Sequence, residues 1–232
     1  STWHCFGCNT GGDLIAFLMR YEHLEFLEAL KALADRAGVP LERVGGAGEK
    51  QYAALYAVNA AAKEFFKAEL ARDAASSRAA REYLAARGLT PDTIREFELG
   101  YAPNASDGLV RLLATQGYAI TDVERAGLVH KTERGTYWDR FRGRIMFPLM
   151  NTFGKTVAFT GRVLPHEGPV PESGIALAKY INSPETPIFN KSKLLFGFHK
   201  TKGAIRETKT AVLVEGQMDL LMAWQDGVRN AV

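Results

Sequence analysis

Apolar positions recur at helical spacing through the first half of the chain. Residues 13–21 and 25–37 each carry an apolar face at i, i+3, i+4 and i+7 spacing, which predicts two short helices. Residues 50–72 and 77–87 predict two alanine-rich helices, and Gly88 closes the second. The first half of the chain is therefore predicted to be mainly helical.

Two capping signals predict further short helices. Thr90 and Pro91 form an N-cap followed by a proline at the first helical position. Thr121 and Glu124 form a capping box, which predicts a helix that ends at Gly127.

The pattern changes to strands after residue 143. Residues 144–150 and 155–164 are rich in strand-forming residues and are joined by Asn-Thr-Phe-Gly at 151–154, which predicts a hairpin. Pro148 cannot donate a ladder hydrogen bond, so its strand is expected to be an edge or to carry a bulge. Residues 165–178, with three prolines and two glycines, predict a loop.

The end of the chain has a β-α-β pattern. Residues 211–214 (AVLV) predict a short buried strand, residues 217–225 a helix, and Asn230 the start of a second strand. The pattern as a whole predicts an α+β fold, in which a mixed helical and β region leads into an α/β segment.

Composition narrows the class of protein. The 232 residues are 47% hydrophobic and 24% charged, which excludes a disordered, collagen-like or disulfide-stapled chain. No apolar run approaches the roughly 20 residues that span a bilayer, so we expect no integral membrane protein. The chain begins at Ser1 without a signal-peptide pattern, and we expect it to be a fragment of a longer protein.

Positive charge is concentrated in one segment. Residues 131–209 hold 14 Lys and Arg against 6 Asp and Glu, although the net charge of the whole chain is only +3. This concentration indicates a polyanionic partner, with nucleic acid as the first candidate, or simply a solvated basic face.

Both cysteines lie at the front, as Cys5-Phe6-Gly7-Cys8. This spacing is typical of half of a four-ligand zinc site or of a redox pair. A redox pair would follow a core strand and open a helix, whereas four residues precede this pair and Gly11-Gly12 separate it from the helix. His4 and His23 are the nearby imidazoles, but we expect the other two ligands to lie upstream of Ser1.

An acidic pair follows the predicted strand at 211–214. Glu215 comes directly after the strand, Gly216 permits a sharp turn, and Asp219 lies in the first turn of the helix. Two carboxylates at such an edge can hold Mg²⁺, or Glu215 can act as a general acid or base. Alternatively, Asp219 only balances the helix dipole and Glu215 is a surface residue.

Arginines and lysines alternate with aromatic residues through the basic segment. This pattern suits binding to a phosphate backbone with stacking on bases, or binding of a nucleoside triphosphate. Alternatively, the charges are solvated and the aromatic residues Phe141, Phe147 and Phe159 are core residues. The basic positions lie in residues 140–144, at Arg162, and in residues 179–186 and 189–193.

Five segments carry recognisable motifs. They are residues 3–19, Arg144–Leu149 (R-x-M-F-P), Gly161–Leu164 (G-R-x-L), Lys179–Thr186 (K-Y-x-N-S-P-E-T) and Val214–Asp219. Each is weak alone, but together and in this order they cover essentially the whole chain and resemble motifs of the bacterial DnaG-type DNA primases. By this resemblance, the first segment is the back half of a zinc-binding domain and the last is the opening of a Toprim domain.

The resemblance implies an enzyme that synthesises RNA primers on single-stranded DNA. It implies residues 1–43 as the end of a zinc-binding domain, 44–50 as a linker, 51–208 as the basic N-terminal subdomain of the catalytic core and 209–232 as the start of Toprim. The implied cofactors are structural Zn²⁺ and catalytic Mg²⁺ or Mn²⁺. The implied partners are the DNA template, ribonucleoside triphosphates, the primer–template hybrid and a replicative helicase, in the bacterial cytoplasm.

The resemblance also implies roles for single residues. Cys5 and Cys8 would bind zinc, and Glu215, supported by Asp219, would be the acidic catalytic centre and bind magnesium. The residues implied in binding template or nucleotide are Arg144, Arg162, Lys179, Tyr180, Asn182 and Lys191.

Some residues depart from the family pattern. Gln217 stands where the family usually has Tyr, Thr160 where Gly is common, and Asn190 where His is common, which makes the role of Lys191 less secure. A later Asp-x-Asp of Toprim and a helicase-binding region are absent, so these 232 residues alone are expected to be inactive.

The alternatives to a DnaG-type primase are a phage-type primase–helicase or another Toprim enzyme, and a non-catalytic module that binds single-stranded DNA.

Overall fold

A computed structural model describes residues 2–22, 24, 26–39, 47–165 and 177–232. The chain divides into two compact units, residues 1–47 and residues 48–232. Of the predicted linker at 44–50, residues 44–46 lie outside the described residues, and residues 47–50 belong to a helix.

The first unit is a hairpin followed by two helices. Strands β1 (Thr2–Cys5) and β2 (Thr10–Asp13) pair antiparallel, and helices α1 (Leu14–Tyr21) and α2 (Phe26–Ala37) follow. The Asp13 carboxylate accepts a hydrogen bond from the amide of Ala16 at 2.8 Å, so Asp13 caps α1. The two predicted helices are confirmed; the hairpin was not predicted.

The second unit alternates helices with short strands. Thr90 accepts a hydrogen bond from the amide of Thr93, as the predicted N-cap requires. The elements are α3 (Ala47–Ala71), α4 (Ala75–Ala86), α5 (Pro91–Glu96), β3 (Gly100–Ala102), α6 (Gly108–Thr115), α7 (Ile120–Arg125), β4 (Val129–Lys131), β5 (Tyr137–Asp139), β6 (Arg144–Met150), β7 (Thr156–Val163), β8 (Tyr180–Asn182), α8 (Phe198–Thr208) and α9 (Gln217–Gln225).

Four of these strands form an antiparallel sheet in the order β3-β6-β7-β8. The predicted β6–β7 hairpin is confirmed, and Gly154 closes its turn with φ of +77°. Pro148 pairs with Phe159 of β7, beyond the residues that pair with β3, and the register shifts between Leu149 and Met150. A proline is tolerated there because, among the described strands, β6 has a neighbour on only one side at that point.

Both faces of the sheet are covered. Met146 and Phe159 pack with Phe66 of α3 on one face, whereas Ile145 and Phe147 pack in a second cluster with residues of α4 and α9. The strands β6 and β7 are therefore buried along almost their whole length. The expectation that Phe141, Phe147 and Phe159 are core residues is confirmed.

The predicted capping box at Thr121 is wrong. Helix α7 begins at Ile120 after an extended Ala119, and no side chain caps it. Thr121 is therefore already inside the helix, where its hydroxyl cannot take the N-cap position. Gly127, with φ of +71°, follows the end of the helix as expected.

The prediction that residues 211–214 form a buried strand is wrong about the burial. Val212 forms an isolated parallel bridge with Ala231 around α9, so the β-α-β connection is present. However, Leu213 is 82% exposed to solvent and Val212 is 43% exposed, because no other described element covers that side of the segment. Among the described residues, no helix has the length and apolar character needed to cross a membrane.

Candidate functional site

The acidic residues lie together at the start of α9. Gly216 is the extended N-cap residue of this helix, Glu215 precedes it, and Asp219 is in the first turn. An oxygen of Asp219 lies 3.4 Å from the position that a Cβ of Gly216 would occupy, so the carboxylate folds back over the cap. Both acidic side chains are exposed. They could supply two oxygen ligands to a divalent cation, and no described group of three His, Cys, Asp or Glu completes such a site.

Arg162 and Tyr180 form the centre of the basic site. They are direct partners in the β7–β8 register, and the guanidinium of Arg162 donates a hydrogen bond to the Tyr180 hydroxyl. The guanidinium carbon also lies 5.1 Å from the centre of the Tyr180 ring. Arg162 is only 7% exposed, and its described contacts include no carboxylate. A buried cation without a counter-charge favours binding of an anion.

Tyr83 completes this arrangement from α4 and was not predicted. The guanidinium of Arg162 lies 5.5 Å from the centre of its ring, and Arg87 donates a hydrogen bond to its hydroxyl at 3.2 Å. Tyr83 is far from β7 in sequence, and its helical pattern carries no signal for this contact. Only the packing of α4 beside the sheet brings the two residues together.

Two residues close to Tyr180 differ in whether their side chains already have a hydrogen-bond partner. The Lys179 side chain is exposed, while its backbone oxygen accepts a hydrogen bond from Val163 at 2.9 Å. The Asn182 carboxamide oxygen accepts a hydrogen bond from the Thr160 hydroxyl at 2.7 Å. The threonine that departs from the family pattern thus orients a predicted binding residue. Lys179 is free to reach a ligand, whereas Asn182 has one side-chain group already bound.

Arg144 is placed differently from the other predicted basic residues. It is 4% exposed, and its Nη1 donates to the backbone oxygens of Gly161 at 3.0 Å and Ala178 at 3.1 Å. Burial lowers the pKa of this guanidinium. Arg144 therefore links β7 to the segment before β8 and adds positive potential from inside the sheet.

Lys191 lies apart from this group. It opens a 3-10 turn at Lys191–Lys193, and Asn190 caps the turn by accepting a hydrogen bond from Ser192 at 3.0 Å. The amide of Lys191 donates to Glu185 at 3.1 Å, and its side chain is exposed. Among the described contacts, none joins Lys191 to Arg162 or Tyr180.

Cys5 ends strand β1 and Cys8 lies in the turn that follows, and both thiols are exposed. Hydrogen bonds with Thr10 and then with Cys5 lower the pKa of the Cys8 thiol. His4 is held by Asn9, with 3.1 Å between Nε2 and Oδ1, and His23 lies outside the described residues. The chemistry of the pair fits half of a tetrahedral zinc site.

Two family models match the chain. Residues 65–202 match the DNA primase catalytic core, N-terminal domain, and residues 1–48 match the CHC2 zinc finger. Together they cover the first structural unit and most of the second.

Curated relatives match along almost the full chain. DNA primase of Deinococcus radiodurans is 42% identical over 231 residues, which are 99% of this chain and 38% of that protein. DNA primase of Geobacillus stearothermophilus is 41% identical over 237 residues, again 99% of this chain and 38% of the relative. The chain thus spans about two fifths of the length of these relatives.

Solved structures show the same fold. The Aquifex aeolicus primase with zinc-binding and RNA polymerase domains has a TM-score of 0.69 at 32% identity, and the match covers 99% of this chain and 53% of that one. The RNA polymerase domain of Mycobacterium tuberculosis primase, in complex with a double-stranded DNA oligomer with an overhang, has a TM-score of 0.70 at 34% identity and covers 77% and 53%.

Proposed function

We propose, since the chain belongs to the bacterial DnaG-type DNA primases, that the protein synthesises short RNA primers on a single-stranded DNA template by nucleotidyl transfer. In this proposal, Arg162, Lys179, Tyr180 and Asn182 bind the template or the phosphates of an incoming nucleotide. The same DNA-binding role is proposed for Arg144 and Lys191, the first through its charge and the second through its exposed side chain.

One observation carries this proposal, the buried guanidinium of Arg162 between two tyrosine rings. A guanidinium held by aromatic faces keeps its charge and its orientation without a carboxylate partner. A phosphate group would supply the missing counter-charge, and the exposed Lys179 beside it would add a second contact. Structures of related primases with DNA support a nucleic acid as the source of that phosphate.

The test is binding of fluorescently labelled single-stranded DNA over a range of salt concentrations. The Arg162→Ala/Lys179→Ala double variant is expected to flatten the plot of log K against log salt by about 0.7 for each lost phosphate contact. The matched control is Arg78→Ala/Arg95→Ala, which removes the same charge from exposed ion pairs with Asp73 and Asp92. Equal slopes for the two double variants would contradict the proposed role.

For catalysis, we propose Glu215 as the acidic centre and Asp219 as its support. Their position at the start of α9 supports this role, because both carboxylates could reach one divalent ion there. Mg²⁺ or Mn²⁺ would stabilise charge on the attacking and leaving oxygens. Two carboxylates alone make an incomplete site, so a polypeptide of only these 232 residues is expected to make no primers. A template-dependent assay with this polypeptide checks that expectation.

For the first unit, we propose that Cys5 and Cys8 bind a structural Zn²⁺. The match to a CHC2 zinc finger and the exposed position of both thiols at one end of the β1–β2 hairpin support this role. The domain division proposed from the sequence remains 1–43 for the zinc-binding part, 51–208 for the basic subdomain and 209–232 for the start of Toprim.

The proposed partners follow from the same function. They are the template, ribonucleoside triphosphates, the primer–template hybrid and a replicative helicase, all in the bacterial cytoplasm at the replication fork. A phage-type primase–helicase and a binding module without catalysis are less favoured, since the matching relatives named above are DNA primases.

A further inference from the structure

The small hairpin of β4 and β5 presents an aromatic ring that the primase site does not use. Alternation along β5 directs Asp139 into the protein and Trp138 outward. Trp138 is 43% exposed, and its direct cross-strand partner is the exposed His130. Their rings meet edge to face, with 6.2 Å between the centroids. An exposed aromatic ring of this kind offers a face on which a nucleic-acid base can stack.

The hairpin is held firmly, so the position of the ring is fixed. The Asp139 carboxylate accepts hydrogen bonds from the amides of Leu109 at 2.8 Å and Val110 at 3.1 Å, at the start of α6. The amide of Asp139 donates to the backbone oxygen of Ser106 at 2.7 Å. Trp138 is therefore anchored through its neighbour to the core of the second unit.

The surface around the ring is positive. The guanidinium of Arg142 lies 5.6 Å from the centre of the Trp138 ring, and its Nη2 contacts Asn104 Oδ1 at 3.4 Å. Burial, and then the charges of Arg140 and Arg142, lower the pKa of His130. No described ion pair involves Arg140 or Arg142, both of which are half-exposed, although the charge of Arg142 also acts on the buried Asp139 carboxyl.

The ring lies apart from the Arg162–Tyr180 site. Arg162 pairs with Ile145 and shares its face of the sheet with Tyr83 and Tyr180, whereas the β4–β5 hairpin packs with the cluster on the other face. A flat ring beside the half-exposed guanidinium of Arg142 suits an unpaired base and its phosphate, whereas a base-paired duplex would hide the base face.

We infer that Trp138, with His130 and Arg142 beside it, is a stacking platform for a base of single-stranded nucleic acid outside the Arg162–Tyr180 site. This inference deepens the proposed function and rests on it. The platform is chemically distinct from that site, because it uses an exposed indole rather than a buried guanidinium as its main contact.

The test compares Trp138→Ala and Trp138→Phe with the wild-type chain in binding to a labelled thymidine oligomer. Loss of the ring is expected to weaken binding about 5- to 150-fold, as for other bases stacked on aromatic side chains. Phenylalanine keeps a stacking face, so its affinity is expected to stay within about threefold of wild type. Thermal unfolding of each variant checks that the hairpin is intact.

Phe153→Ala is the matched control. Phe153 is equally exposed at 43%, lies in the β6–β7 turn and has a cation, Lys202, 5.9 Å from its ring centre. A loss for Trp138→Ala that exceeds the loss for Phe153→Ala supports the platform. Equal effects of the two alanine variants, or an equal loss for Trp138→Phe and Trp138→Ala, would overturn it.

The platform and the proposed function can fail separately. If the wild-type chain binds the oligomer and Arg162→Ala/Lys179→Ala weakens binding while Trp138→Ala does not, the platform is wrong and the proposed function stands. If neither set of variants changes binding, the nucleic-acid role of the whole basic segment is wrong.

Discussion

Arg162 and Tyr180 are cross-strand partners in which one side chain orients the other. The tyrosine hydroxyl accepts the hydrogen bond of the guanidinium, and the tyrosine ring lies 5.1 Å from it. Tyr83 adds a second ring at 5.5 Å from a different helix. The position of the charge in the candidate site therefore depends on two aromatic residues from separate parts of the chain.

Tyr83→Ala is expected to weaken binding of single-stranded DNA by about 0.5–1 kcal/mol, because Arg162 loses one of the two rings that orient it. Tyr83→Phe keeps the ring and should bind like wild type, even though the hydrogen bond from Arg87 to the hydroxyl is lost. Anisotropy titrations measure both affinities. Equal losses in the two variants would mean that the hydroxyl, rather than the ring, matters.

Gly161→Ala is expected to destabilise the second unit by about 1–3 kcal/mol, since it overpacks the core. An added Cβ would lie 2.8 Å from Phe141 Cδ1 and 3.0 Å from Arg144 Cδ. Gly203→Ala is the control, because a Cβ there meets nothing within 4 Å and a helical alanine should stabilise α8 by about 0.5–1 kcal/mol. Urea unfolding measures both changes, and a stable Gly161→Ala protein would show that this part of the core adapts.

Asp139 is expected to make the protein less stable as pH rises from about 4 to about 6. Burial raises the pKa of this carboxyl from 3.8 to about 6. The folded state therefore binds more protons than the unfolded state in that range, and a stabilising contribution of order 3 kcal/mol present at low pH is lost. Asp139→Asn should remove this slope in denaturant unfolding at several pH values. A slope that persists in the variant would assign it to other groups.

His199 is expected to make the protein more stable as pH rises, the opposite of the effect of Asp139. Burial, and then the charges of Lys200 and other lysines, lower the pKa of its imidazole from 6.5 to about 4. The unfolded state therefore binds more protons, so the stability that His199 contributes is complete above about pH 6.5 and is lost as pH falls towards about 4. His199→Gln should reduce the loss of stability in acid, measured by thermal unfolding from neutral to acidic pH. An unchanged acid loss would mean that His199 is protonated at the same pH in both states.

The amino-acid sequence by itself predicted much of the local structure and identified the family. Apolar spacing and alanine content predicted α1 to α4, and the Thr90-Pro91 capping signal predicted α5. Strand-forming residues predicted the β6–β7 hairpin, and the motif order identified the family. All of these signals depend on near neighbours. Where a local signal misled, as at Thr121, the helix begins at Ile120 after an extended Ala119, two residues earlier than a cap at Thr121 would place it.

Only the tertiary structure decided which residues meet. The pairing of Tyr83 with Arg162 joins a helix to a strand far along the chain, and the burial of Arg144 depends on backbone oxygens of two other segments. Exposure of Leu213 and Trp138 likewise depends on what packs beside them rather than on their own hydrophobicity. Long-range packing sets the burial and the partners of each charge, and these two quantities decide whether an arginine is a core residue or a contact for phosphate.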